Sequence, residues 1–402
     1  MQNDTIYDNL GVPTVINAAG TKTRIGGSRI RPEALNAMRE AADSFVRLSD
    51  LQARASDLIT DVTGAEAGYV TSGAAGGLLL GAAACIAGEN LDAMAQLPDT
   101  TGVADEIIMP RTHRSGYDHA LRAAGATIVD VGTNDHHLGT GAANVEPWEI
   151  RDAISEDTAA VAYMQKPYTE PPLETVVKIA HENDVPVIVD AAAELPPQSN
   201  LERFIELGAD LVAFSGGKAI RGPQTTGILA GRRDLIESVA VQHLDMHAAE
   251  AVWEPSGLVD TDELAGVPRQ GIGRPLKVGK EELVGLIRAL ELFMEEDQEA
   301  LQDEWSARVT QIAEGLSHCN GVSTQVADGG KVAVAPEVSV SLDSAVTAVT
   351  TTELVRDLRK ETPRVFVGAD SLPEAFSINP MCLTDEEGEY VVNRIIAHVN
   401  SE

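Results

Sequence analysis

Two short apolar runs decide what this chain can become. Val185-Pro-Val-Ile-Val-Asp190 is a β-branched stretch that closes on a carboxylate, and 28 residues further on Leu211-Val-Ala-Phe-Ser215-Gly-Gly-Lys218 carries a hydroxyl and an amine into a glycine-rich turn. A second apolar run, Ile228-Leu-Ala-Gly, follows that turn. A helix-sized connection separates the first two, and similar runs recur at Tyr69-Val-Thr, Glu106-Ile-Ile-Met, Thr127-Ile-Val-Asp-Val and Thr158-Ala-Ala-Val-Ala-Tyr-Met. Strands alternating with helices build a largely parallel sheet whose carboxyl edge binds ligands. The expected class is α/β, with Asp190 and Lys218 at that edge.

A lysine at a buried strand end has a chemical use. Desolvation lowers the pKa of an ammonium and frees the amine as a nucleophile, and such an amine can form a Schiff base with pyridoxal phosphate. A Ser-x-x-Lys alone is equally compatible with a surface lysine in a flexible loop. Asp190 can hold a pyridinium nitrogen protonated, which makes the ring an electron sink; an aspartate is also a common helix N-cap. The two residues together, each closing a strand, point to the cofactor. Gly68-Tyr-Val-Thr-Ser72-Gly-Ala-Ala-Gly-Gly runs from a strand into a helix through small residues, so Ser72, Gly73, Ala74 and Ala75 are candidates for a phosphate cradle. Tight helix packing is the alternative use of those glycines.

Five stretches carry a resemblance: Val15-Ile-Asn-Ala-Ala-Gly-Thr21, Tyr69 to Gly77, the Asp190 strand, the Lys218 loop and Gly273-Arg-Pro-Leu-Lys-Val-Gly-Lys280-Glu-Glu. Through about the first seventy per cent of the chain the sequence resembles the fold-type I pyridoxal phosphate enzymes. Within them it resembles the group that contains bacterial selenocysteine synthase and D-glucosaminate-6-phosphate ammonia lyase. The resemblance implies an aspartate aminotransferase-like fold, with a large domain on a mostly parallel seven-stranded sheet and a small C-terminal α/β domain. The implied boundaries are 1–45 for an N-terminal arm and helix, 46–282 for the large domain and 283–402 for the small one. It further implies sites built from two subunits, hence a homodimer or larger ring.

Other candidates follow. His113 sits where a flat side chain would stack on the pyridine ring. Gln165 or Tyr168 would reach the ring's phenolic oxygen or the substrate, Ala192 is small enough to lie under the ring, and Ser215 would donate to the phosphate. Gln224, Thr225 and Thr226 would reach a partner's site. The resemblance brings the arm segment to the site, making Asn17, Thr21 and Arg24 substrate contacts, unless they are ordinary turn residues. It also suggests a carboxylate-binding arginine in the small domain, Arg364, with Asn379 as the alternative. Arg274, Lys277 and Lys280 are anion contacts or a basic surface turn, and Arg111 and Arg114 could read an anionic substrate group. His136 and His137 have no third ligand at a recognisable spacing, so no metal is expected.

The chain carries 62 acidic residues against 30 basic ones, eight of the latter lysine, for a net charge of -32. Acid spread along the whole sequence suits a protein adapted to high salt, where screening removes self-repulsion. It argues against nucleic acid as a partner. Cys85, Cys319 and Cys382 are too scattered for a disulfide framework. With no basic-plus-apolar leader and no membrane-length apolar run, a cytoplasmic protein is expected. The expected activity is a lyase that eliminates water and ammonia from a β-hydroxy amino acid or amino-sugar acid. The alternatives are a selenocysteine synthase-like transferase on seryl-tRNA, an aminotransferase, aldolase or racemase, or a binding protein that has lost catalysis.

Overall fold

The computed structural model describes residues 5–133, 145–244, 248–255, 257–261, 264–327 and 335–400. Its strands are β1 Val15–Ala18, β2 Ala67–Thr71, β3 Glu106–Pro110, β4 Thr127–Val131, β5 Thr158–Met164, β6 Val187–Asp190, β7 Leu211–Ser215, β8 Gly227–Gly231, β9 Val322–Ala327, β10 Glu337–Leu342, β11 Arg364–Val367 and β12 Phe376–Ile378. The chain forms two compact units, Ile30–Glu296 and Met1–Arg29 with Asp297–Glu402. The borders of these units fall at 29/30 and 296/297. The reason is packing: the helices Pro32–Ala42 and Lys280–Glu295 lie against each other in the larger unit, so closely that a Cβ on Gly285 would meet Met38 Cγ at 2.7 Å.

The larger unit holds a seven-stranded sheet in the order β2-β8-β7-β6-β5-β3-β4. From β7 to β4 all neighbours are parallel, whereas β8 runs antiparallel to both β2 and β7. Strands of such a covered sheet are apolar throughout because both faces are buried, and β2 and β8 are buried at every position. The helix Gly73–Ala87 supplies the cover on one face, with Leu78 and Leu80 packed among Tyr69, Ile107, Ile188 and Leu229. Its Gly81 lets it lie close, since a Cβ there would stand 3.2 Å from Leu211 Cδ1.

The smaller unit contains the parallel pair β1-β11 and an antiparallel sheet in the order β12-β10-β9. Its core joins Val309, Ile312, Val340, Leu354, Val365 and Val391. The helical pattern that runs from Leu283 to Cys319 in the sequence is two helices. Asp297 interrupts it by accepting from the backbone N–H of Glu299 (3.1 Å) and Ala300 (3.0 Å), which caps a new helix, Gln298–Ser317. The alternating Val332-Ala-Val pattern of the sequence predicts a further strand, and Val332 lies outside the described residues. No helix among the described residues is long and apolar enough to cross a membrane.

Candidate active site

Register brings the chemistry to one edge. Met164 pairs with Asp190 and Asp190 with Ala213, while Gly227 is the partner of both Ser215 and Thr71. The ends of β2, β5, β6 and β7 therefore align, and β3, parallel to β5, ends at the same edge. Ser72, His113, Gln165, Asp190, Ser215 and Lys218 all lie just at or beyond these ends.

Ser72 precedes the Gly73–Ala87 helix, yet its side chain caps no N–H of that helix. Its hydroxyl is buried with no hydrogen-bond partner among the described residues. A Cβ on Gly76 would stand 2.5 Å from that hydroxyl, and one on Gly227 would stand 2.3 Å from the carbonyl carbon of Gly73. Gly73 itself has φ +72°, a conformation glycine adopts without strain. The result is a bare helix start with an unused hydroxyl beside it, which suits a phosphate.

Asp190 is not a helix cap, because the next helix starts at Asn200. Its carboxylate accepts from Ala192 N–H at 3.1 Å. Burial pushes the carboxyl above the usual range, opposed first by that hydrogen bond and then by the positive fields of Lys218 and Lys166. A carboxylate held this way favours a cationic neighbour, and a pyridinium nitrogen fits. Lys166 pairs with the buried Glu194 at 2.8 Å. Gln165 donates its backbone N–H to Asp190 O at 3.0 Å, while its side-chain Nε2 donates to Lys166 O.

His113 is buried, 2% exposed, and its Nε2 donates to Glu170 O at 3.1 Å. Its ring meets Tyr163 edge-on, 4.7 Å between centroids, and Tyr163 OH donates to Pro171 O. Burial holds the His113 pKa down to about 4 against that Glu170 bond, so the imidazole is neutral, and Nδ1 is buried with no partner among the described residues. Tyr163 and Asp190 line a shallow cleft with Met109, Ser115, Tyr117 and Asp118.

Lys218 is half-buried at the bend of a hairpin joining β7 to β8. Gly216 N–H donates to Thr226 O and Gly222 N–H to Gly216 O, each at 2.9 Å. Gly217 passes so near Gln224 that a Cβ would stand 2.4 Å from its Cα. Thr226 is buried and donates to Pro223 O, whereas Thr225 is exposed and donates to Glu282 of its own chain at 2.7 Å. The Thr225 hydroxyl is thus bonded within its own chain.

The remaining candidates are scattered. Arg274 is half-buried in the turn Arg274–Leu276, and its field acts on Tyr69 and His243, whose side chains share a 2.8 Å hydrogen bond. Lys280 is engaged by Ala41 O at 2.6 Å and by Glu281. Arg114 is paired with Asp118 and Asp130, and Arg111 sits 3.9 Å from Asp130. In the smaller unit, Asn17 donates to Gly20 O (2.9 Å) and Gly27 O (3.3 Å), so its amide shapes the arm's turn. Thr21 is half-buried, Arg24 and Arg364 are exposed, and Asn379 donates to Glu337 at 2.7 Å. His136 and His137 lie outside the described residues. Among the described residues no group of three His, Cys, Asp or Glu could hold a metal. The sequence reading missed the Lys166–Glu194 pair and the Tyr163 ring; Lys166 in its proline-bounded loop was the available signal.

Comparison with known proteins follows the same line. Residues 93–261 match the family aminotransferase class-V. D-glucosaminate-6-phosphate ammonia lyase of Salmonella typhimurium is 29% identical over 399 residues, spanning 97% of this chain and 96% of that protein. The 5'-C-glycyluridine monooxygenase-decarboxylase of a Streptomyces species is also 29% identical, over 97% and 90%. L-seryl-tRNA(Sec) selenium transferase of Nitratidesulfovibrio vulgaris is 26% identical over 81% and 66%. The solved structure of D-glucosaminate-6-phosphate ammonia-lyase matches at TM-score 0.82 and 28% identity over 100% of both chains. Ureidoglycine-glyoxylate aminotransferase of Bacillus subtilis, at TM-score 0.58 and 14% identity, shares the fold. Over residues 93–261 the chain matches the aminotransferase class-V family, and its fold is that of the pyridoxal phosphate-dependent enzymes of fold type I.

Proposed function

We propose that this protein is an ammonia lyase acting on a β-hydroxy amino acid or amino-sugar acid of the D-glucosaminate type, with a 2-oxo-3-deoxy acid and ammonia as products. The observation that carries it is a likeness to one ammonia lyase running end to end in both sequence and fold. Bound pyridoxal phosphate supplies an electron sink for negative charge at the substrate α-carbon. The Ser72 hydroxyl and the first N–H groups from Gly73 to Ala75 hold its phosphate, with Ser215 beside them. Asp190 would keep a proton on its ring nitrogen, with Gln165, Ala192 and the neutral His113 as the other residues to hold the ring. Lys218 would carry the cofactor and, as a free amine, would accept and hold the α-proton. The β-hydroxyl then leaves as water, and hydrolysis of the product imine takes one water back, so the net loss is ammonia. Arg274 is the substrate-anion contact proposed from the larger unit.

The working form is at least a homodimer in a salt-rich cytoplasm, which light scattering in high salt would contradict by returning the mass of one chain. A tRNA substrate is disfavoured because phosphate contacts need cationic surface and the chain carries -32. The test is visible absorbance before and after borohydride, with peptide mapping of the trapped adduct. A yellow band that bleaches, with the label on Lys218, leads to a panel of amino-sugar acids scored for ammonia and 2-oxo acid. Oxygen uptake with carbon dioxide release in that panel would instead favour the monooxygenase-decarboxylase type of reaction.

A further inference from the structure

We infer that Arg31, braced by Glu296, is the positioning residue of the Lys218 loop. No motif advertises it. The bend after Lys218 is held from inside by Arg221 N–H donating to Lys218 O at 3.0 Å, while the carbonyls of Ile220 and Arg221 accept from outside the loop. One residue takes both: Arg31 Nε donates to Ile220 O at 3.1 Å, and Arg31 N–H donates to Arg221 O at 3.1 Å. Arg221 has φ +59°, a strained conformation for a side chain with a Cβ, so it needs its peptide held.

The guanidinium that holds Ile220 O is itself fixed. Arg31 is 8% exposed, and its Nη1 donates to Glu296 Oε1 at 3.0 Å. Gln198 Nε2 in turn donates to the backbone carbonyls of Phe293 and Glu296, tying down the end of the Lys280–Glu295 helix. Leu286 of that helix fills the space beside Gly216 and Gly222. A buried ion pair is a poor device for stability alone, because desolvation opposes it. It is a good device for geometry: the rigid planar fork of arginine fixes the directions to a carbonyl and a carboxylate, whereas the rotatable donors of an ammonium leave them loose. Pro32 follows directly, so Arg31 sits at the fixed start of a helix, and its side chain goes to the loop without capping that helix.

The role of Lys218 as the cofactor-bearing lysine rests on the function proposed above, but the clamp can be tested without it. The cofactor-free full chain is compared with R31K, R31M and E296Q by amide hydrogen exchange. The rate at which a small amine reagent labels Lys218, relative to exposed Lys178, is read alongside. R31K and R31M are expected to raise exchange across 216–224 by tenfold or more while Val187–Asp190 stays within twofold, and E296Q by severalfold. The Lys218 labelling ratio should change in the same order, and in cofactor-loaded protein the pH midpoint of the visible band should move with it. Unchanged exchange at 216–224 in R31K overturns the proposal, as does exchange that rises everywhere in step with a fall in melting temperature. If R31M fails to fold, R31K and E296Q decide. A wild-type chain that never turns yellow would undo the cofactor reading and leave the exchange result standing.

Discussion

Asp190 stands in the cofactor-free chain at a disadvantage that only a bound cation removes. Its folded carboxyl pKa is raised above the unfolded value, so the fold is penalised as pH rises through the unfolded value and stays penalised at neutrality. Asp190→Asn should therefore raise the melting temperature of the cofactor-free chain by roughly 1–3 °C and lower turnover by about 100-fold or more. Thermal scans with and without pyridoxal phosphate, beside ammonia release, would check both. His113 runs the other way with pH. Its unfolded imidazole takes a proton near 6.5 and the folded one only near 4, so stability is lost as pH falls between those values. Over pH 7 to 5 this one group should remove about 2 kcal/mol, and urea titrations of His113→Gln should lack that part of the slope. Lys218 and Asp190 were legible because each ends an apolar run in a group with few other uses there. Lys166 and Glu194 were not, because the β5–β6 register makes them neighbours and a sequence shows no register.

The phosphate cradle is a property of elements. The start of the Gly73–Ala87 helix meets the first residue of β8 with no side chain between them, and Ser72 is the hydroxyl left over. Ser72→Ala should weaken pyridoxal phosphate binding about tenfold with the fold intact. Gly227→Ala should cost far more, because its Cβ meets backbone that cannot move aside; spectroscopic titration of the two variants would rank them. The strand-helix alternation of the large sheet was readable from its apolar runs, and so was the turn at Ser72. The edge strand β9 was not, since Ser323, Thr324 and Gln325 give it no apolar run and it is mostly exposed. The break at Asp297 was hidden because apolar residues keep helical spacing on both sides of it. Arg31 is not legible in the sequence, because its partners Ile220 and Glu296 lie far along the chain.

At the scale of the whole molecule, charge dominates. With -32 spread over 402 residues, self-repulsion opposes compaction until salt screens it. The melting temperature should rise by about 5 °C or more from roughly 0.1 to 2 M KCl, and a flat or falling curve would remove the case for salt adaptation. The hairpin at Lys218 has a consequence in time as well. Ser215 and Gly227 pair across 12 positions, whereas Thr71 reaches the same Gly227 across 156. Short-range closures form early in folding and long-range ones late. The nucleophile is thus set before the anion seat exists, and a refolding chain turns yellow only when the long-range β2–β8 pairing has closed, which makes colour a clock for a late step of assembly.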